Sequence, residues 1–348
     1  MKFMRYLLFP FSVLYAGVMQ LRNRQYDNGT RPVSTFEKVV ISVGNLSTGG
    51  TGKSPMIEFL IRKLVQNYQV ATVSRGYGRK THGERIASEE DTARTLGDEP
   101  YQFYRKFGEK VKVVVGEERV LAIPHLLMDF PETEVILLDD AFQHRKVARD
   151  LNIMLSDYSA PFYNDLVLPA GNLRESRNQA KRADVIVVSK CPADLSAAQQ
   201  AEITQKISAY NSHAPVFFST IKYGELKPAF KEGTIKTDVV VISAIAKPKP
   251  FYRFLEERFS VVDKFEYVDH YNFKKTDLDR ILRKLNGKDV SLVTTEKDMV
   301  RLLPFADHPL MKQFNLFYQP IEVEIDNELG FEKLLIQAVE KRKRELNL

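Results

Sequence analysis

The chain contains no tryptophan, and its 348 residues include a single cysteine, Cys191. One thiol excludes an intrachain disulfide and any metal centre built on several cysteines, and it suits a reducing cytosol. Long apolar runs are also missing. The run that comes nearest, residues 6–19 (YLLFPFSVLYAGVM), is shorter than the roughly 20 residues a spanning helix needs, and Pro10 interrupts it. No small-x-small cleavage site follows, which argues against a cleaved signal peptide. Charge of one sign is scarcely in excess: 51 Lys and Arg against 45 Asp and Glu leave a net +6. The basic residues are dispersed without interleaved aromatics, so no nucleic-acid partner is expected. Internal repeats and low-complexity tracts are absent too.

What remains is an ordinary globular mixture, 44% hydrophobic and 28% charged, at a length that fits two compact domains. The N-terminal run has Lys2 and Arg5 before it and Arg22 and Arg24 after it. A short apolar helix with basic ends suits the plane of a membrane surface, its cations facing anionic headgroups. The alternative is a helix packed into the protein's own core. Beyond this helix, residues 1–24, short β-branched runs alternate with amphipathic runs of helix length. Strands are expected at 38–43, 69–73, 111–115, 135–138, 152–155 and 184–188, and helices at 55–66, 117–128 and 195–209. Continuous apolar strands separated by helices imply a parallel sheet covered on both faces. A second series follows: strands at 239–243, 261–265 and 291–294 with helices at 250–257 and 276–285. The polar segment 222–237, with Gly224, Pro228 and Gly233, reads as a connector. The expected fold is therefore α/β, with one parallel-sheet domain over 25–221 and a smaller α/β domain over 238–348. A last strand (316–325) and helix (331–345) are open between the second domain and packing back on the connector or the first domain.

The first strand, KVVISV, runs into Gly44-Asn45-Leu46-Ser47-Thr48-Gly49-Gly50-Thr51-Gly52-Lys53-Ser54 and then a helix from Pro55. Strand, glycine loop and helix N-terminus together cradle phosphate, because glycines let N–H groups turn inward and the helix end adds partial positive charge. This is a P-loop, with Gly49, Gly50, Thr51 and Gly52 around the phosphates, Lys53 on the β and γ oxygens and the Ser54 hydroxyl on magnesium. Ser47 stands where the motif's first glycine is usual. A P-loop also needs an acid at the end of a neighbouring strand, and Val135-Ile-Leu-Leu-Asp139-Asp140 supplies two. Adjacent carboxylates at an apolar strand end repel unless a cation separates them, which suits Mg2+.

Further motifs occur in one order: SRGYGRK (74–80), GDEP (97–100), DDAFQHR (139–145), LPAGNLRES (168–176) and TTEKD (294–298). With the P-loop, this series resembles the tetraacyldisaccharide 4′-kinase family, membrane-associated enzymes of lipid A biosynthesis. The resemblance runs from the N-terminal helix to TTEKD. It implies a P-loop kinase fold that uses ATP and Mg2+ to phosphorylate the 4′-hydroxyl of a tetraacylated glucosamine disaccharide 1-phosphate, giving lipid IVA. It also implies a place on the cytoplasmic face of the bacterial inner membrane, and the chain is expected to act as a monomer. By the same resemblance Asp98 of GDEP is the base that takes the hydroxyl proton, and His270 is its partner. Asp98 read alone is equally an N-cap for a helix from Glu99. Arg75, Tyr77, Glu99, Arg119, Gln143, Arg174 and Glu175 fall where the family meets its phosphorylated sugar, and arginine forks suit a phosphomonoester.

The sequence departs from the family pattern in three motifs: Ala141 and Phe142 replace Gly-Leu after the acidic pair, Tyr271 replaces a second histidine, and Asn172 replaces a proline. None removes a charged group, although Ala141 bars any role that requires a glycine backbone. The rival reading is a P-loop GTPase or metallochaperone switch. Such proteins carry an Asn/Thr-Lys-x-Asp strand end, and neither Ser189-Lys190-Cys191-Pro192 nor Thr295-Glu296-Lys297-Asp298 has that spacing.

Overall fold

The computed structural model describes residues 2–347, with side chains from residue 7 onward, so the Lys2 and Arg5 side chains lie outside the described residues. The chain opens with helix α1 (Lys2–Asp27), which runs unbroken through Pro10. Strand β1 (Val39–Asn45) is buried along its whole length and leads through the glycine loop into α2 (Lys53–Leu64). Then come β2 (Val70–Ser74), β3 (Arg85–Ile86), α3 (Ala93–Leu96), α4 (Asp98–Phe107), β4 (Val111–Val115), α5 (Arg119–Asp129) and β5 (Val135–Asp139). Strands β6 (Leu151–Asp157) and β7 (Val185–Ser189), helix α6 (Ala197–Ser208) and strand β8 (Val216–Tyr223) complete the first run. The second run is β9 (Lys227–Pro228), β10 (Asp238–Ser243), α7 (Lys249–Glu256), β11 (Ser260–Glu266), α8 (Lys275–Leu285), β12 (Ser291–Thr295), α9 (Glu296–Leu302) and α10 (Pro309–Gln313). It ends in β13 (Leu316–Gln319), β14 (Ile321–Ile325) and α11 (Glu328–Leu346).

Among the described residues these strands make two sheets, of nine and five strands, in the orders β14-β8-β7-β6-β1-β5-β2-β4-β3 and β11-β10-β12-β13-β9. Only β14, β3 and β9 run antiparallel to their neighbours. The parallel strands are Val- and Ile-rich because helices cover both faces and leave no polar side to alternate with. On the first sheet α2 and α11 cover one face, where Phe331 meets Phe59 and Phe217 edge-on with ring centroids 5.8 and 5.2 Å apart. Helix α5 covers the other face with Ala122, Ile123 and Leu126. A small apolar seam of Leu96, Tyr101, Val115, Met299 and Val300 joins α4 to α9, and so the first sheet to the second.

The sequence reading needs four corrections here. The single strand expected at 316–325 is two: Pro320 cannot donate to a ladder, and the chain changes sheets there, β13 pairing with β12 and β14 with β8. Segment 222–237 is no plain connector, because Lys222 and Tyr223 finish β8 and Lys227–Pro228 pairs with β13. Strand β8 itself was not anticipated. Asp98 is the first residue of α4 rather than its N-cap, a place taken by Gly97 at φ 95°.

Candidate active site

The phosphate loop is braced from three sides. Asn45 Nδ2 donates to Thr51 Oγ1 at 2.8 Å, Ser189 Oγ to the Thr51 carbonyl at 2.7 Å, and the Thr48 N–H to the Asn172 carbonyl at 2.7 Å. Ser47, the unusual residue, bridges Leu173 of the LPAGNLRES segment, so the loop's start is fixed by a neighbouring chain rather than by a tight glycine turn. Gly49 and Gly52 have φ of 101° and 89°, a left-handed conformation that favours glycine. Gly52 opens α2, whose N-terminus gives the loop its positive pole. Lys53 Nζ lies 3.6 Å from Asp140 Oδ1. Beneath the loop, Gly44 of β1 is needed for space: a Cβ there would lie 2.6 Å from the Phe142 Cβ.

Asp139 and Asp140 are neighbours in sequence and opposites in environment. Asp139, the last residue of β5, is buried, and its Oδ1 has no hydrogen-bond partner among the described residues. Burial pushes its carboxyl up to about 7, and the like charge of Asp140 adds to this. Asp140 turns away at φ 46° and accepts a fork from Arg174, with Nη1 at 2.9 and 3.0 Å and Nη2 at 3.1 Å. Burial raises the Asp140 carboxyl, but the charges of Lys53 and Arg174 outweigh it and hold it below the usual carboxylate range. A buried, unpartnered carboxylate oxygen beside a second acid, at the end of the strand paired with β1, is a donor set that fits Mg2+. Arg119 is buried as well. Desolvation lowers its pKa, and the opposing charges of Asp139 and Asp140 and the like charge of Arg75 place all four in one cluster.

A second cluster forms where α4 meets the second sheet. His270 Nδ1 is 3.2 Å from Asp98 Oδ2, and Arg301 donates to the same oxygen from Nε at 2.8 Å and Nη2 at 2.6 Å. Burial raises the Asp98 carboxyl, but the His270 and Arg301 hydrogen bonds and the Arg301 charge prevail and lower it. Lys297 Nζ bridges Glu99 Oε1 at 2.8 Å and His270 Nε2 at 3.1 Å. Arg301 Nη2 also lies 3.2 Å from His270 Nδ1, so that ring nitrogen faces both the carboxylate and the guanidinium. Burial raises Glu99, and the charge and hydrogen bond of Lys297 lower it further than that. His270 is held at φ 59° with its N–H on the Ala244 carbonyl, and the Tyr77 ring meets it edge-on at 5.6 Å. Asp298 steadies Arg301 through Nη1 at 2.7 Å and accepts the Ala244 N–H at 2.9 Å. Asp98, Glu99 and His270 have ligand atoms within 4.8 Å of one another, but Lys297 and Arg301 already engage them. The charge of Glu99 is felt at Asp139, so the two clusters lie near each other. Two surface cavities, about 650 and 460 Å³, lie elsewhere, against α6 and α7.

The structure gathers Lys53, Asp139 and Asp140, expected around the phosphates, together with Arg119 and Arg174, expected at the sugar, and brings Asp98, Glu99, Tyr77 and His270 into a second cluster. Two assignments to the sugar change. Glu175 is fully buried and ion-paired to Arg182, with Asn23 Nδ2 at 3.3 Å and Arg22 at 3.8 Å, so it anchors α1 instead of joining either cluster. Gln143 is a brace, its Nε2 donating to the Asn45 carbonyl at 2.9 Å. The sequence reading missed Lys297, Asp298 and Arg301 as site residues. Their signal lay in TTEKD followed by Arg301, which sits three and four residues beyond Asp298 and Lys297 and hence on their face of α9.

Known proteins resemble this chain over nearly its whole length. The family model for tetraacyldisaccharide-1-phosphate 4′-kinase matches residues 4–340. Proteins named tetraacyldisaccharide 4′-kinase from Flavobacterium psychrophilum and Flavobacterium johnsoniae are 43% and 41% identical, covering 98% of this chain and 98% and 99% of their own. A crystal structure of LpxK from Aquifex aeolicus in complex with ATP superposes with a TM-score of 0.76 at 30% identity, covering 97% of this chain and 99% of that one.

Proposed function

The chain belongs to the tetraacyldisaccharide 4′-kinase family, and from that membership we propose the residues by which it works. It is an ATP-dependent kinase of lipid A biosynthesis that phosphorylates the 4′-hydroxyl of a tetraacyldisaccharide 1-phosphate. The observation that carries the assignment of roles is the meeting of Asp98, from the first sheet's side, with His270, Lys297 and Arg301 from the second, near a phosphate loop. Phosphoryl transfer asks a protein for positioning, charge and a place for one proton. Lys53 and the N–H groups of the loop hold the β and γ phosphates. Asp139, Asp140 and Ser54 would hold Mg2+, which neutralises charge on the transferring group when bound.

The engaged oxygen of Asp98 is Oδ2, on which His270 and Arg301 converge. Oδ1 is left to accept the proton of the sugar hydroxyl as its oxygen attacks the γ-phosphorus and ADP departs. Holding the carboxyl low keeps it ionised at neutral pH, at the expense of basicity, which suits a loose transition state where the proton moves late. Arg75, Arg119 and Tyr77 line the approach of the phosphorylated sugar.

Helix α1 supports a membrane address. No helix among the described residues is long and apolar enough to cross a membrane, yet Leu7, Phe11, Leu14, Val18 and Leu21 all stand exposed on α1. This face lies in the surface of the inner membrane, on the cytoplasmic side where ATP is available, and presents the site to its lipid as a monomer. The test is incubation of the purified chain with γ-labelled ATP, Mg2+ and detergent-dispersed tetraacyldisaccharide 1-phosphate. A product one phosphate heavier is expected, its rate lowered about a hundredfold or more by Asp98→Ala. Near-wild-type turnover of that variant would remove Asp98 from the mechanism.

A further inference from the structure

Helix α1 is amphipathic in the reverse sense of an ordinary surface helix. Its outward residues Leu14 and Leu21 are 70% and 61% exposed, whereas inward Ser12 and Asn23 are 4% and 1% exposed. On this inward face Ser12, Tyr15, Arg22 and Asn23 carry polar groups at helical spacing, beside half-buried Met19 and buried Tyr26. A helix that needed only an anchor could pack an apolar stripe against the body. This one also directs hydrogen-bonding groups at particular peptide units. Tyr15 Oη donates to the Arg174 carbonyl at 3.1 Å, and Arg22 Nη2 donates to the Gln143 carbonyl at 2.9 Å.

Those two residues are the ones whose side chains frame the nucleotide site. Arg174 forks Asp140, and Gln143 holds the Asn45 carbonyl at the root of the phosphate loop while its Oε1 lies 3.4 Å from Arg174 Nη1. Arg145 returns the contact, its Nη1 on the Asn23 carbonyl at 3.0 Å and its Nη2 on Asp27 at 2.7 Å. One hydrogen bond therefore separates α1 from each peptide unit, and one more separates that residue from Asp140 or the loop.

We infer that Tyr15 and Arg22 are positioning residues for phosphoryl transfer, fixing Arg174 and Gln143 and through them Asp140 and the start of the phosphate loop. The helix that meets the lipid is then part of the frame of the nucleotide site. This rests on the reading of Asp140 and the loop as that site.

The test uses the full chain with Tyr15→Phe, Arg22→Gln and Arg22→Lys. Four quantities are read: flotation with phosphatidylethanolamine–phosphatidylglycerol vesicles, the melting temperature, amide exchange over 139–145 and 172–175, and the Mg2+ needed for half-maximal binding of a fluorescent ATP analogue. Turnover is measured on detergent-dispersed lipid. Tyr15→Phe should lower kcat about three- to tenfold and Arg22→Gln more, the scale of one neutral and one charged hydrogen bond. Exchange in both segments should quicken and the Mg2+ requirement should rise, with flotation and melting little changed and Arg22→Lys recovering part of the loss. Activity that falls only in step with melting or flotation, with exchange and Mg2+ titration as in wild type, overturns the inference. Should Arg22→Gln fail to fold, Tyr15→Phe decides. Leu14→Gln with Val18→Gln reads the outward face separately: retained flotation there overturns the membrane reading and leaves the positioning to be judged on the Tyr15 and Arg22 results.

Discussion

Arg301→Gln is the substitution that most directly probes the Asp98 cluster, because one guanidinium holds both a candidate base and a buried acid. It donates twice to Asp98 Oδ2, once to Asp298 Oδ1 and once to the Ala244 carbonyl. Its side chain is 4% exposed and that of Asp298 is fully buried, so removal strands a carboxylate away from water. Breaking one partner of a buried pair costs about 3–5 kcal/mol, and loss near the lower end is expected, since Asp298 keeps the Ala244 N–H and Thr295 hydroxyl. The effect on chemistry has a definite sign. Arg301 is among the groups that lower the Asp98 carboxyl against burial. Without it burial gains, the carboxyl pKa rises, and the base is protonated at higher pH. The acid limb of the kcat/KM profile should therefore move to higher pH, and turnover at pH 6 should suffer more than at pH 8. Urea denaturation and pH–rate profiles of Arg301→Gln, alone and with Asp298→Asn, separate the two consequences. The double variant should regain much of the stability, because the stranded charge is gone, while its acid limb stays shifted. An acid limb unmoved in both variants would refute the idea that Arg301 tunes Asp98.

Lys53→Ala should lower turnover about a hundredfold or more, the usual loss when a fixed donor to developing charge is removed; turnover within a few-fold of wild type would remove Lys53 from the phosphate site. Asp139→Asn should raise the Mg2+ requirement more than Asp140→Asn in a metal titration, since Asp139 Oδ1 is unpartnered while Asp140 is held by Arg174 and Lys53; the opposite order would reverse their roles. Asp98→Ala and His270→Ala should combine less than multiplicatively in kcat if the pair works as one unit, whereas two multiplying losses would separate them. His144 is kept neutral in the folded protein, burial lowering it from 6.5 to about 4. The unfolded chain takes up that proton first, so stability is full above pH 6.5 and declines as pH falls toward 4; His144→Gln should flatten that decline in denaturant titrations.

How much of this was legible in the sequence depended on whether the signal was local. Strands such as β4 and β5 announce themselves because a fully buried parallel strand is a short, unbroken β-branched run. The phosphate loop is likewise a contiguous motif. The break at Pro320 was visible as a proline, but that the chain changes sheets there is set by pairing with Tyr223, nearly a hundred residues earlier along the chain. Helix α4 was legible as a helix from Glu99, but its start was misplaced by one residue, because Gly97 at positive φ takes the cap and Asp98 is already helical. Arg301 was missed for another reason. An arginine on a short helix looks like a solvated charge until tertiary folding brings Asp98 to it from 203 positions away. Glu175 failed in the other direction: its motif neighbour Arg174 does face the acidic pair, and one residue of strand-like alternation turns Glu175 inward.

The two crossings between the sheets lie side by side. Tyr223 pairs with Ile321, the Gly224 N–H donates to the Pro320 carbonyl at 3.0 Å, and Gln319 Nε2 reaches the Gly224 carbonyl at 2.6 Å. Topologically, everything between Gly224 and Pro320 is the loop of a very large β-hairpin. Its removal would leave strand ends already in register for a tight turn, so the body that carries the glycine loop is open to isolation by grafting a short turn onto β8 and β14. The same arrangement orders biosynthesis. The outermost strand of the first sheet, β14, and α11 follow the inserted sheet in the chain, so they emerge from the ribosome after it and the first sheet keeps that edge bare until then.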